Sequence, residues 1–314
     1  MPQFVCRLDD PNYPYPYCPN FTAAIVFAAL FGLSTLLHLI QAIHYRKPFC
    51  WVIIMAGTWE TASYALRALS RYDISPEGLG VPSQFLVQLA PLWVNAFVYM
   101  VFGRVVHYFI PEKSVAGVSA RRMSLVFVLL DLFSFLIQAA GAVLAQSRGD
   151  GDDTSNLITI GLRVYQAGIG VQELFILLFL AVAVRCEIKL RAIDHEQYRS
   201  TSWKKVLWPI YAALILITIR IIYRLVEFAS GFESGLVTKE TPFYILEAGP
   251  MTLCMFVFNV FHPGTVLVGE ESEFPKKEKK QKAGSQVEPT DSHAMEMERR
   301  DERSPAAAEK GLIV

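Results

Sequence analysis

"GTWETASYALRALSR", residues 57–71, lies within an apolar run long enough to cross a membrane, yet it carries Glu60 and Arg67. An unpaired charge at the bilayer centre costs about 2.5–3.5 kcal/mol even on the lenient insertion scale. A span that keeps two ionisable groups has to hide them from lipid. At helical periodicity Glu60, Tyr64 and Arg67 share one face, so the stretch reads as a helix with a single polar stripe.

The rest of the chain supports a membrane reading. Of 314 residues, 53% are hydrophobic and only 18% charged, too greasy for an ordinary soluble domain and far from a disordered composition. A span takes roughly 20 mostly apolar residues. Segments 21–43, 50–70, 84–107, 123–146, 158–184, 205–229 and 242–262 qualify, the fifth most weakly because Arg163, Gln166, Gln172 and Glu173 interrupt it. Nothing resembles a charged leader with a cleavage site, so the first segment is expected to remain as a span. The expected fold is an all-α, multi-pass, seven-helix transmembrane bundle.

Lys and Arg concentrate in 44–49, 108–122 and 185–204 and are sparse in the alternate connections. The positive-inside rule then puts the N-terminus outside and the C-terminus in the cytoplasm. Residues 1–20, rich in Pro and Tyr, form an outer segment. The bundle occupies 21–265, closed by Pro263, which cannot continue a helix. Residues 266–314 are a polar, largely disordered tail. In it "KKEKKQK" at 276–282 is either an inner-leaflet anionic-lipid contact or a solvated flank, and Ser272, Ser285 and Ser304 are potential signals.

The 0, 4, 7 polar spacing recurs: Arg220, Arg224 and Glu227; Asp131, Phe135 and Gln138; Gln166, Gly170 and Glu173. Four helices with one stripe each imply a shared polar interior, in which Glu247 joins from the last span. By depth, Arg67, Arg224, Glu227 and Glu247 belong to the outer half, and Glu60, Arg220 and Glu173 to the middle. Asp131 and His38 belong to the inner half, with His262 at the inner edge. Arg104 and Arg163 lie near span ends, where long side chains reach the head groups. The alternative to a functional column is architectural: buried pairs such as Glu60–Arg67 and Arg224–Glu227 that fix helix register. Gly168 and Gly170 are expected to allow close helix approach, and Pro91 and Pro209 to kink their helices.

The five cysteines have no metal-ligand spacing. Cys6 and Cys18 fall on the outer side, where a disulfide is permitted. Cys50 and Cys186 lie at the inner edge, as idle thiols or acylation sites. The sequon at Asn20 abuts the first span and is expected to stay unmodified. No phosphate-binding loop is present, so no ATP-driven motor is expected.

These residues resemble the fungal lipid-translocating exporter family, seven-helix proteins linked to resistance against aminocholesterol-type compounds. The likeness covers roughly residues 13–265 and rests on "YPYCPNFTAAIVFAALFGLSTLLHLIQ" with His38, "ETASYALR", "QLAPLWVNAFVYMVFGR", "DLFSFLIQAAG", "GIGVQELFILLF", "IRIIYRLVEFASG" and "FNVFHPG". One departure is Ser63, where the family pattern E-x-x-G-Y-x-x-R has glycine. The resemblance implies export or flipping of amphipathic molecules, notably sphingoid long-chain bases, and tolerance of membrane-active drugs.

Three functions are therefore in competition. In the first, the bundle binds and translocates membrane lipids or other amphipathic molecules, with Glu60, Glu227 and Glu247 receiving an ammonium head. This reading involves no enzyme activity, cofactor, metal or nucleic acid, and the plasma membrane or an endomembrane is the site. The second is a seven-helix sensor signalling through its basic inner face. The third is an intramembrane metal-dependent hydrolase built on His38, His44, His107, His262 and Asp131.

Overall fold

The computed structural model describes residues 15, 17–71, 76–145, 152–197, 201–229 and 238–274. The compact unit that holds the helices ends at Phe274. Cys6, the lysine run 276–282, Ser285 and Ser304 lie outside the described residues.

Helix α1 spans Phe21–His44. Its start is set by Asn20, whose side-chain oxygen accepts from the Ala23 amide at 3.1 Å and satisfies one of the free N–H groups of the first turn. Its end is a left-handed cap: Arg46 has φ 53°. The amides of Arg46 and Lys47 reach back to the carbonyls of Ile43 and Ala42 at 3.3 and 3.1 Å. A 3₁₀ turn over Pro48–Cys50 leads into α2, Trp51–Leu69. Then come α3, Pro76–Phe109, and α4, Ala120–Ala145, joined by a two-strand hairpin that pairs Ser114 with Ser119 and Val115 with Val118. Ala116 and Gly117 turn that hairpin with φ of 51° and 76°, the positive pair a tight primed turn requires.

Helix α5, Asp152–Gln197, has 46 residues, about 69 Å at 1.5 Å per residue. It continues well past residue 184, where the expected span stops, so most of the basic connection 185–204 is helix. Helix α6 covers Lys204–Ala229. The last rod is composite: α7, Glu240–Phe243, a π-helical turn over Tyr244–Ala248, and α8, Gly249–Val260. Pro82 and Pro91 fall inside α3 and Pro209 inside α6.

Among the described residues, six segments are long and apolar enough to cross a membrane: Phe21–His44, Gly78–Phe109, Ala120–Ala145, Ser155–Asp194, Lys204–Ala229 and Glu240–Thr265. The 19-residue α2 packs among them, against α1 on one side and α3 on the other. The bundle is apolar outside: Ile43, Val143, Ile215 and Val260 are each at least 61% exposed. It is polar in part inside, where Glu60, Arg67, Asp131, Arg220, Arg224 and Glu247 are all buried. That inversion suits a hydrocarbon solvent, in which charges are the groups that need hiding.

Small residues set the closest approach. A side chain on Gly141 or Gly161 would strike the backbone of the facing helix, Tyr165 N and Ala145 N respectively, so α4 and α5 meet almost backbone to backbone. Gly168 likewise abuts Gln138, but a Cβ on Gly170 would meet open space. Of the two expected contacts, only Gly168 serves packing. On the other side of the bundle, Ser63 and Ser83 exchange hydroxyl-to-carbonyl hydrogen bonds of 2.8 and 2.9 Å, tying α2 to α3. Ser63, where the resemblance implies glycine, is thus a cross-link between helices.

At the basic end, Lys47 donates to Ser272 Oγ at 2.8 Å. Ser272 also contacts the carbonyls of Leu267 and Gly269 at 3.2 and 2.7 Å and is 1% exposed. It is a fastening for the chain after Pro263 and not a surface serine. Cys18 is disulfide-bonded, while Cys50, Cys186 and Cys254 are free and buried.

Candidate functional site

The polar stripes of α2 and α6 turn inward, as does Asp131 on α4, whereas on α5 Gly170 is exposed and Gln166 and Glu173 are only half-buried. Their partners are not all those the helical wheel suggests. Arg67 does not pair with Glu60. Its Nη2 lies 3.3 Å from Glu240 Oε1 on α7 and donates to the Tyr17 hydroxyl at 2.7 Å. Its guanidinium carbon sits 4.6 Å from the Tyr15 ring centre and 4.3 Å from that of Phe243, an aromatic enclosure that suits a planar delocalised cation. Glu240 Oε2 accepts from the Asn20 amide at 2.7 Å, so one acid joins α7 to α2 and to the start of α1. Burial raises the Tyr17 phenol above its ordinary pKa, and the Arg67 charge partly offsets this.

A second knot lies between α6 and the π turn. Arg220 donates through Nε to Glu247 Oε1 at 2.8 Å, with Nη2 at 2.7 Å from the same oxygen. Arg224 pairs with Glu227 at 2.9 Å and lies 3.9 Å from Glu247 Oε2. It also donates to the Tyr165 hydroxyl at 3.2 Å, a group that accepts from Gln88 as well. Tyr223 donates to Glu227 at 2.8 Å. Two bases and two acids balance in this knot. Gln138 donates to Gln172 at 2.9 Å, and these two residues with Gln88, Tyr165, Arg220 and Arg224 line a hollow of about 10 Å³, room for roughly one water.

Asp131 stands apart. Its Oδ2 accepts from Asn95 at 2.8 Å and Tyr99 at 2.9 Å, both on α3, and Oδ1 has no partner. Glu173 is half-buried and hydrogen-bonded by Thr218, and Gln166 donates to the Phe228 carbonyl at 2.8 Å.

His38 contacts the Met255 carbonyl through Nε2 at 3.1 Å. Its ring centre is 6.5 Å from that of His262. His262 Nδ1 accepts from the Gly264 amide at 3.1 Å, which leaves its proton on Nε2, 3.5 Å from Cys50 Sγ. His262 is thus committed to a helix-terminal contact and His38 to a backbone carbonyl through Nε2, the His38 Nδ1 being buried without a partner. Among the described residues no three His, Cys, Asp or Glu side chains gather to hold a metal ion.

Glu60 is the outlier. It is 1% exposed, yet neither carboxylate oxygen has a hydrogen-bond partner. The nearby Tyr64 hydroxyl is likewise buried and unpartnered, its ring stacked on Phe31 at 5.4 Å. The charges that reach Glu60 are Arg220 and Glu247, already paired with each other. Buried arginines Arg67, Arg220 and Arg224 each have another acid, so Glu60 is surplus in the charge balance.

Residues missed from sequence include Gln88, Asn95 and Tyr99. They repeat at 0, 7 and 11 along α3, one helical face, and uncharged polar groups at that period in an apolar run were the available signal. Glu240, Tyr15 and Tyr17 were hidden in connections, where polarity carries no information about burial.

Helices with apolar exteriors around buried ionisable groups define an integral, multi-pass membrane protein. The chain belongs to the family described as RTA1 like protein, which matches residues 53–270. It is 37% identical over 85% of its length to the probable lipid transporter atnI of Emericella nidulans, covering 71% of that protein. It is 29% identical to protoporphyrin uptake protein 1 of Saccharomyces cerevisiae, over 78% of this chain and 90% of the relative. The sphingoid long-chain base transporter RSB1 of that yeast is 22% identical over 88% of this chain and 80% of its own. No solved structure matches the chain.

Proposed function

We propose that the protein moves amphipathic lipids bearing a cationic head across the membrane, with sphingoid long-chain bases as the substrate class and Glu60 as the acid that receives the ammonium. One observation carries this reading: Glu60 is buried with both oxygens unpartnered, while Glu227, Glu240 and Glu247 are already engaged by arginine. A buried carboxylate without donors is costly, and an incoming cation relieves that cost. Glu227 and Glu247, also expected to receive the head group, act in this reading by holding Arg220 and Arg224. The names of the relatives RSB1 and atnI support a lipid cargo. In the same reading α2 is a seventh crossing, the basic connections face the cytoplasm, the plasma membrane is the site, and resistance to membrane-active compounds follows from export.

The test is purified protein in phosphatidylcholine vesicles with a fluorescent long-chain base. Transbilayer movement well above that of empty vesicles is expected, with loss in Glu60→Gln. Movement no faster than in empty vesicles rejects the proposal. Movement that survives Glu60→Gln undiminished removes Glu60 from it.

A further inference from the structure

A second site lies on the outside of the bundle, at its basic end. A groove of about 470 Å³ runs between α6 and α8, a size typical of small-molecule sites. Its walls are Trp208, Pro209 and Ala212 on one side and Val257 and Phe261 on the other. Trp208 is 62% and Phe261 52% exposed, so an apolar trough opens on the outer surface of the bundle. Lys204 and Lys205, both exposed, close its basic end, and none of the lining residues is acidic. Because Pro209 has no amide hydrogen, the Lys205 carbonyl also lacks its helical donor and remains available at the same rim.

We propose that this groove holds one anionic glycerophospholipid, its phosphate against Lys204 and Lys205 and one acyl chain along Trp208, Ala212 and Phe261. Charge selects the occupant. Two ammonium groups at the rim repel a sphingoid base, so this is not the site of the proposed cargo. A second copy of the chain fits poorly, because a two-fold contact centred here sets the lysines of one copy against those of the other. A phospholipid offers one negative group and one apolar chain in the order the groove presents them.

Native mass spectrometry of the purified full chain tests the site, with dioleoyl phosphatidylglycerol and dioleoyl phosphatidylcholine as probes and a melting curve for each variant. The wild type is expected to retain phosphatidylglycerol in preference to phosphatidylcholine. Lys204→Gln with Lys205→Gln, at exposed positions where folding is tolerant, weakens that retention by about thirtyfold, about fivefold per lysine, and leaves phosphatidylcholine unchanged. Ala212→Trp fills the trough and lowers retention of both. Equal retention of the two lipids by the wild type overturns the proposal. So does a preference that persists in the lysine double variant, or a dimer that Ala212→Trp dissociates.

Discussion

Arg67 pairs with Glu240, 173 positions along the chain, and not with Glu60 two turns away on its own helix. The consequence is a division of labour on α2: Arg67 holds the bundle together, while Glu60 is left without a partner.

Loss of either member of the Arg67–Glu240 pair should therefore damage folding. Breaking a buried pair strands the remaining charge and costs about 3–5 kcal/mol. Arg67→Gln and Glu240→Gln should each lower the melting temperature in detergent, and the double variant should lose less than their sum. Arg67→Lys should fail to restore stability, since an ammonium lacks the planar face that Tyr15 and Phe243 enclose.

Glu60→Gln should behave in the opposite way. The amide preserves shape and removes a buried ionisable group, so the melting temperature should hold or rise. Movement of a long-chain base should fall by about tenfold or more, the worth of a hydrogen bond to a charged group. A neutral amphiphile should be less affected, which is checked in the same vesicles.

Much of this architecture was readable from periodicity. The apolar runs marked the helices, and the stripes led by Glu60, Asp131 and Arg220 marked buried positions on their helices. The stripe on α5 did not: Gly170 is exposed, and the buried face there runs through Tyr165, Ile169 and Gln172. Pairing was not readable, because a helical wheel gives an angle about one axis and says nothing of the neighbour at that angle. The π turn over Tyr244–Ala248 adds to the difficulty: one extra residue in the turn rotates the remainder of the rod, and Glu247 reaches Arg220 from within it. Glu240 was invisible for another reason: it lies before the apolar run of the last helix begins.

Ser63→Gly should destabilise this chain. It removes a hydroxyl bond to Ser83, worth about 0.5–1.5 kcal/mol, and adds about 1 kcal/mol for glycine inside a helix. Ser63→Ala should cost only the first part. Comparing the two melting curves separates them.

The α4–α5 contact makes a paired prediction. Gly161→Ala forces two backbones apart and should cost about 1–3 kcal/mol. Gly170→Ala meets open space and should be neutral or stabilise by up to about 1 kcal/mol. Equal effects of the two would contradict the packing described.

The hollow beside Arg220 and Arg224 admits about one water and nothing the width of an acyl chain. A lipid cannot lie whole in that space. Either the hydrocarbon tail trails among neighbouring lipids while the head alone slips between helices, or the rods part before cargo enters. On the transport proposed above, turnover would then be governed by how often the seam opens, and a chemical staple across α3 and α6 should throttle transit while leaving every charge in place.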